Sequence, residues 1–426
     1  MLASIVAAFK LPDLRKRILF VFAMFGVFVL GLHIPVPGID REAMDRLFGA
    51  GGILGMLDVF SGGALRKFTI FAMGIAPYIN ASIIMQLLTI AIPSLEALAK
   101  EGEHGRKKIS QYTRYLTVIL AAFQAMGMNK ILQSMHILNA GPFLFFQIVI
   151  TLTAGTAFLM WVGEQITDKG IGNGVSMVIF AGIVASLPWQ VKNTWELFLA
   201  GSLKLPNILG MLILFLATVV GIVAIQQAQR KIPIQHVKRV VGNKVYGGSS
   251  SFLPLRVNSA GVIPIIFAIS IQMFPATIAQ FIPGTTGIGG WFKNAATLFS
   301  PGASIWAAFV YALMIIFFTY FYTAVTFNVP EVAENLKKYG SFIPGIRPGK
   351  PTLEYLDRVM SRITLAGAVF LAIIALMQYW SPQLTGVNTF QLAGGTSLLI
   401  LVGVALETMQ AIEAHLLMRH YEGFIK

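Results

Sequence analysis

The stretch LDVFSGGALRKFTIFAMGIAPYINASIIMQLL, residues 57 to 88, decides how the chain is read. It begins as a short amphipathic piece, breaks at Ser61-Gly62-Gly63, carries the basic pair Arg66-Lys67, and then runs into apolar sequence interrupted by Gly74, Pro77 and Asn80. A plain membrane anchor has no use for such interruptions, because in hydrocarbon every freed backbone group must find a protein partner or pay its full desolvation cost. Ile75 and Ile79 lie one helical turn apart and so share a face, and Pro77 between them is expected to disturb the helix there. The stretch reads as a membrane span with a task besides anchoring.

Composition supports a lipid solvent. Of 426 residues, 56% are hydrophobic and only 12% charged, too few polar groups to cover a soluble domain of this size. Gly (41) and Phe (32) are abundant, and Gly and Pro are tolerated in membrane helices whose neighbours satisfy the disturbed backbone. Cysteine is absent, which excludes disulfides and thiolate metal sites. The formal charge of +14 suits anionic lipid, nucleic acid or an acidic partner, and only its placement chooses among them.

A spanning helix needs about 20 predominantly apolar residues. Ten such spans are placed at 18 to 35, 68 to 92, 112 to 129, 143 to 162, 173 to 188, 207 to 227, 257 to 282, 304 to 327, 359 to 379 and 392 to 415. The first follows Lys10, Arg15, Lys16 and Arg17 as a signal peptide does, but it ends in His33-Ile34-Pro35-Val36-Pro37 with no small-residue cleavage site, so it is read as retained. Of the 32 Lys and Arg, 24 fall in or beside the N-terminus, the loops after spans 2, 4, 6 and 8, and the C-terminus. The positive-inside rule puts those parts, and both termini, in the cytoplasm. Half of the basic residues left outside lie between spans 1 and 2, beside the opening stretch.

Two cytoplasmic loops stand out. After span 6, VKRVV-GN-KVY places β-branched residues around Gly242-Asn243, the pattern of a tight hairpin carrying Lys238, Arg239 and Lys244 near its tip. After span 8, Pro344-Gly345 and Pro348-Gly349 bracket Arg347 in a stiff turn that fixes one guanidinium. From charge alone, a solvated loop that merely holds topology accounts for both equally well.

Catalytic constellations do not assemble. The six histidines are scattered without ligand spacing, and there is no GxSxG or Walker GxxxxGK[ST]. Gly170-Ile171-Gly172-Asn173-Gly174 lacks a following Lys and reads as a loop and helix start before span 5. No enzyme activity, cofactor or metal is expected, and any ATP used must be hydrolysed by a partner. An ion-coupled transporter keeps ionisable groups inside its spans; Glu407 is the one candidate for a buried acid, and a snorkelling or paired carboxylate accounts for it. Gln86, Thr113 and Asn258 are polar points in or at the edges of spans 2, 3 and 7, expected to hydrogen-bond across helices, either as ordinary glue or as a latch at a seam that opens.

The ordered run of motifs resembles the SecY family of protein-conducting channels. It comprises FSGGAL (60 to 65), GIAPYINASII (74 to 84), EGEHGRKKISQYTRY (101 to 115), WVGEQITDKGIGNG (161 to 174), LPLRVNSAGVIPIIFA (253 to 268), NLKKYGSFIPGIRPG (335 to 349) and GGTSLLI (394 to 400). The resemblance implies an all-α polytopic membrane protein. Ten transmembrane helices would form two pseudo-symmetric halves, residues 1 to 190 (spans 1 to 5) and 191 to 426 (spans 6 to 10), closing as a clamshell around an hourglass pore. It implies a pore ring of Ile75, Ile79, Ile179, Ile266 and Ile400, which on the residues alone read as plain helix packing. It implies a plug helix at about 53 to 66, including Ile53, Leu54, Met56, Leu57, Val59, Phe60, Ser61, Gly62 and Gly63. Gln86, Thr113 and Asn258 match polar positions of a lateral gate between spans 2 and 3 and spans 7 and 8.

The same resemblance turns the cytoplasmic loops, 229 to 256 and 329 to 358, into a docking surface for the ribosome and the SecA ATPase, with Lys238, Arg239, Lys244, Lys337, Lys338, Arg347 and Lys350 facing the partner. Other implied partners are the SecE and SecG subunits, signal sequences, unfolded precursor polypeptides and membrane lipid, and the implied location is the bacterial cytoplasmic (inner) membrane. After span 8 the order Phe327-Asn328-Val329-Pro330-Glu331 departs from the family pattern, in which proline follows the asparagine directly, so the docking loop is expected to start at a shifted position. The alternatives are a membrane insertase or scaffold without a through-pore, and a secondary transporter that depends on Glu407.

Overall fold

In the computed structural model the chain is described at residues 9–39, 44, 58, 61–135, 137–138, 141–236, 239–241, 244–246, 250–279, 290–291, 294, 299, 304–387, 390 and 395–422. A helix lies at each of the ten predicted spans. In chain order the helices are α1 (Pro12–Gly31), α2 (Ala76–Ala91), α3 (Pro93–Lys100), α4 (Glu103–Ser134), α5 (Pro142–Lys169), α6 (Gly174–Leu199) and α7 (Leu205–Gln227). After four strands follow α8 (Ile263–Ala279), α9 (Ile305–Thr326), α10 (Val329–Lys338), α11 (Lys350–Thr385) and α12 (Thr396–Glu422). Among the described residues seven helical segments are long and apolar enough to cross a membrane, and α2 with α3 forms a pair bent by 101°. The shortfalls have local causes: α1 carries Arg15, Lys16 and Arg17 in its opening turns, while α2 and α8 have 16 and 17 residues.

Local sequence sets the helix ends. Proline occupies the first turn of α1, α2, α3, α5, α7, α10 and α11, where a missing N–H costs no hydrogen bond. The Asn173 side chain accepts from the Val175 and Ser176 amides and caps α6, so the glycine-rich 170 to 174 segment is the loop and helix start its sequence suggests. Asn328 caps α10 by accepting from Glu331 N–H, with Pro330 at the second helical position. The extra Val329 thus sits at the first helical position, and the departure from the family order is absorbed by the cap.

Span 2 is shorter than its apolar run. Expected from residue 68, its helix begins at Ala76. Phe68 has φ of 45° and Gly74 φ of 56°, and the backbone there forms turns with one bridge between Pro35 and Thr69. Span 7 likewise begins six residues late, at Ile263, because residues 257 to 262 form turns.

Two small sheets add to the helices. Strands β2 (Arg239–Val241) and β3 (Lys244–Tyr246) pair antiparallel, with Val241 opposite Lys244, which is the register of the predicted two-residue hairpin. The other sheet was not legible in the sequence. In it β1 (Gln229–His236) lies between β4 (Ser250–Arg256) and β5 (Ser341–Phe342), so the loop after span 6 and the loop after span 8 share one sheet. Beneath it Ile232, Leu255, Ala333, Ile343, Leu356 and Met360 form a separate apolar core.

Candidate functional site

The five isoleucines that match the ring come from four helices and fall in one apolar cluster. Ile75, Ile179 and Ile400 are buried members of it, and Ile79 and Ile266 are partly buried and packed against the same cluster. Ile75 is the residue before α2, and its carbonyl accepts from Ile79 N–H at 3.1 Å, so the two side chains stay one turn apart on one side. The expected disturbance at Pro77 is absent: Pro77 stands in the first turn of α2, where it has no N–H partner to lose. The cluster is the main apolar core of the described residues, and α2, α6, α8 and α12 all contribute aliphatic side chains to it.

The segment that leads into α2 is held by a knot of short-range bonds. Gly63 N–H donates to the Asp58 carbonyl at 2.9 Å, Ser61 Oγ donates to the same carbonyl at 3.0 Å, and Leu65 N–H donates to Ser61 Oγ at 3.2 Å. Arg66 N–H donates to the Asp58 carboxylate at 2.8 Å. Asp58 is buried, and this desolvation pushes its carboxyl up to about 6, partly opposed by the Arg66 amide and the Arg66 and Lys67 charges. Gly62, at φ of 72°, passes so close to α6 that a Cβ would stand 3.0 Å from Gly182 Cα. Of the matched plug residues, Ser61, Gly62 and Gly63 belong to this knot, whereas Ile53, Leu54, Met56, Leu57, Val59 and Phe60 lie outside the described residues.

Among the described residues the three polar seam residues do not bond across helices as expected. Thr113 Oγ1 donates within α4 to the Ile109 carbonyl at 2.9 Å, and Asn258 Nδ2 closes its own turn on the Gly261 carbonyl at 3.1 Å. Gln86 is exposed on α2. The physical reason for Thr113 and Asn258 is a nearer partner: a threonine hydroxyl reaches back along its own helix, and an asparagine reaches its own turn. Asn258 Oδ1 is buried without a partner among the described residues. Packing nonetheless divides at this place. Helix α2 packs on α4 and α8 packs on α9, with no packing of comparable extent between the two pairs among the described residues.

Between β5 and α11 Arg347 is exposed, and its carbonyl accepts from the buried Thr352 hydroxyl at 2.8 Å, so the backbone beneath the guanidinium is fixed. Lys337 and Lys338 are exposed in the last turn of α10, and Lys350 is exposed at the start of α11. Lys238 lies outside the described residues; Arg239 and Lys244 lie in β2 and β3. His236 and Ser341 share a side-chain hydrogen bond of 2.8 Å across β1 and β5. Neither residue was singled out from sequence. The usable signal was the alternation of Ile232 and Ile234 toward the core within β1. Glu407 is exposed on α12, 3.9 Å from where a Cβ on Gly261 would stand, with Arg256 as its nearby cation.

Long apolar helices packed around one shared core, with a knotted segment ahead of α2 and exposed cations in the loops between helices, define a polytopic membrane protein. The SecY family model matches residues 69–409, and the chain belongs to that family. "Protein translocase subunit SecY" of Streptomyces scabiei is 46% identical over 445 residues, covering 100% of both chains. The protein of the same description from Thermotoga maritima is 46% identical over 431 residues, covering 98% of this chain and 96% of that one. Among solved structures, one described as a protein conducting channel has a TM-score of 0.66 at 18% identity, covering 96% of each chain. Sec61 in a canine ribosome-channel complex has a TM-score of 0.61 at 17% identity, again covering 96% of each. At these identities the two structures speak for the fold alone.

Proposed function

We propose that this chain is the central channel subunit of the general secretory translocon, passing unfolded secretory polypeptides across the membrane and releasing membrane-protein helices sideways into lipid. The observation that carries this reading is the apolar cluster that gathers Ile75, Ile79, Ile179, Ile266 and Ile400 from four helices. A ring of charge would bind particular substrates and conduct ions, whereas an aliphatic ring resists wetting and adapts to any passing side chain. The divided packing between the α2–α4 pair and the α8–α9 pair is the seam this reading uses as a lateral gate, lined by Gln86, Thr113 and Asn258. The clamshell halves are residues 1 to 190 and 191 to 426, and the plug is the segment of about 53 to 66.

Energy comes from partners. The exposed cations Lys337, Lys338, Arg347 and Lys350, with Arg239 and Lys244 in the β2–β3 pair and Lys238 next to Arg239 in sequence, form the docking face for the SecA ATPase and for the ribosome. Clustered Lys and Arg attract rRNA phosphate through counterion release, and the fixed backbone at Arg347 suits a stereospecific contact with a protein motor. SecE and SecG are the companion subunits, and the basic loops and both termini face the cytoplasm of a bacterial cell whose inner membrane holds the channel. The decisive test is import of a secretory precursor into vesicles that contain the complex. Import that requires added SecA and ATP is expected; no import by a folded, complete complex under those conditions overturns the reading.

A further inference from the structure

The basic pair Arg66-Lys67 is unexplained by any of these roles, since a plug needs no cation and an anchor avoids one. The guanidinium of Arg66 lies over the ring of Trp189 on α6, 4.2 Å from the ring centre. This contact does not stand alone. Four residues earlier, Gly62 meets the backbone of Gly182 on the same helix. Gly182, Ser186 and Trp189 follow one another at spacings of four and three and therefore line one face of α6, and Ile179 stands three residues before Gly182 on that face. The face thus runs from the isoleucine cluster to Trp189, and the segment 61 to 66 touches it at two points about two helical turns apart.

We propose that Arg66 and Trp189 form a latch that holds the segment carrying the plug against α6 in the resting channel. They act as positioning residues; neither touches the passing polypeptide. The Gly62 contact alone fixes where the segment approaches α6 but resists its departure weakly, because two glycines bury little surface. The Arg66 contact adds attraction at the far end, where the segment turns toward α2. Arg66 is half-buried and Trp189 half-exposed, so the cation is partly stripped of water while the ring keeps an open edge by which the latch can release. The bonds of the knot at Asp58 lie within the segment, so among the described residues the Arg66 contact adds to the Gly62 approach in coupling the segment to its seat.

The proposal rests on the plug reading, and the test separates the two. The complete complex is reconstituted in planar bilayers, and resting ion conductance is measured without substrate. Trp189→Leu and Arg66→Gln are each expected to raise it, by about fivefold, with an unchanged thermal unfolding midpoint in detergent. Trp189→Phe and Arg66→Lys, which keep a ring and a cation, are expected to stay near the unmodified channel. Deleting residues 53 to 66 is expected to leak strongly, and adding Trp189→Leu to that deletion is expected to change nothing further. A leaky deletion with a tight Trp189→Leu variant overturns the latch and leaves the plug reading standing. A tight deletion overturns both. Additive leaks in the combined variant place the action of Trp189 elsewhere and overturn the latch.

Discussion

Replacing Asp58 by Asn should remove a pH dependence built into the segment ahead of α2. Burial raises the Asp58 carboxyl from 3.8 to about 6. Because the docked value lies above the undocked one, the docked segment holds its proton more tightly. The stabilisation is therefore full below pH 3.8 and is lost as pH rises through about 6. Taking those two values, the docking equilibrium shifts about tenfold, or ~1.4 kcal/mol, toward the undocked form between roughly pH 5 and roughly pH 7.5. Asparagine keeps an oxygen to accept from Arg66 N–H at the position of the present 2.8 Å bond, but has no proton to exchange in this range. The assay is amide hydrogen exchange of the peptide containing Gly63, Leu65 and Arg66, whose N–H groups end on Asp58 and Ser61. Comparing the two proteins at each pH cancels the intrinsic pH dependence of exchange. Protection in the unmodified chain, relative to Asp58→Asn, should fall about tenfold across that interval. A ratio that stays flat, or that rises with pH, refutes the argument from burial.

Three other outcomes follow from single contacts. A Cβ on Gly155 of α5 would stand 1.9 Å from the Ile70 carbonyl oxygen, and Ile70 is itself tied to Ile34, so Gly155→Ala should destabilise by about 1–3 kcal/mol and lower the unfolding midpoint. Gly26→Ala, which meets open space, should leave the midpoint unchanged or raise it slightly. Ile400→Asn should raise resting ion conductance by wetting the constriction, whereas Ile400→Leu should not, as measured in the same bilayer assay. Arg347→Ala should slow SecA-driven import with an unfolding midpoint unchanged within about 0.5 kcal/mol of stability, because the Thr352 hydroxyl bonds the backbone at that position and not the guanidinium.

Much of the architecture is written locally and was legible for that reason. The Gly242-Asn243 hairpin, the Asn173 cap and the ten helix positions each depend on residues close together in the chain. What escaped depends on distance or on competition. The β1–β4–β5 sheet joins His236 to Ser341, 105 residues away, and Pro233 and Pro254 inside its strands hide them from a strand pattern. The start of α2 at Ala76 escaped because hydropathy sees an unbroken apolar run from residue 68, whereas Phe68 and Gly74 take left-handed backbone there. The seam residues were found by composition but their bonds were not, since Thr113 and Asn258 prefer partners in their own helix or turn. The five isoleucines matched to the ring all belong to the main apolar core, and no periodicity distinguishes them from ordinary core isoleucines; only the motif order singled them out. Arg66 looked like a stray charge because its partner, Trp189, is carried by another helix.

The central claim is that the polypeptide passes through the isoleucine cluster. The chain contains no cysteine, so single cysteines placed at Ile79, Ile400 and Ile305 report without background. Ile305 is 89% exposed at the start of α9 and serves as the outward-facing control. A secretory precursor stalled midway is expected to crosslink at both Ile79 and Ile400 and not at Ile305. Crosslinks at Ile305 with none at either cluster position would contradict the account.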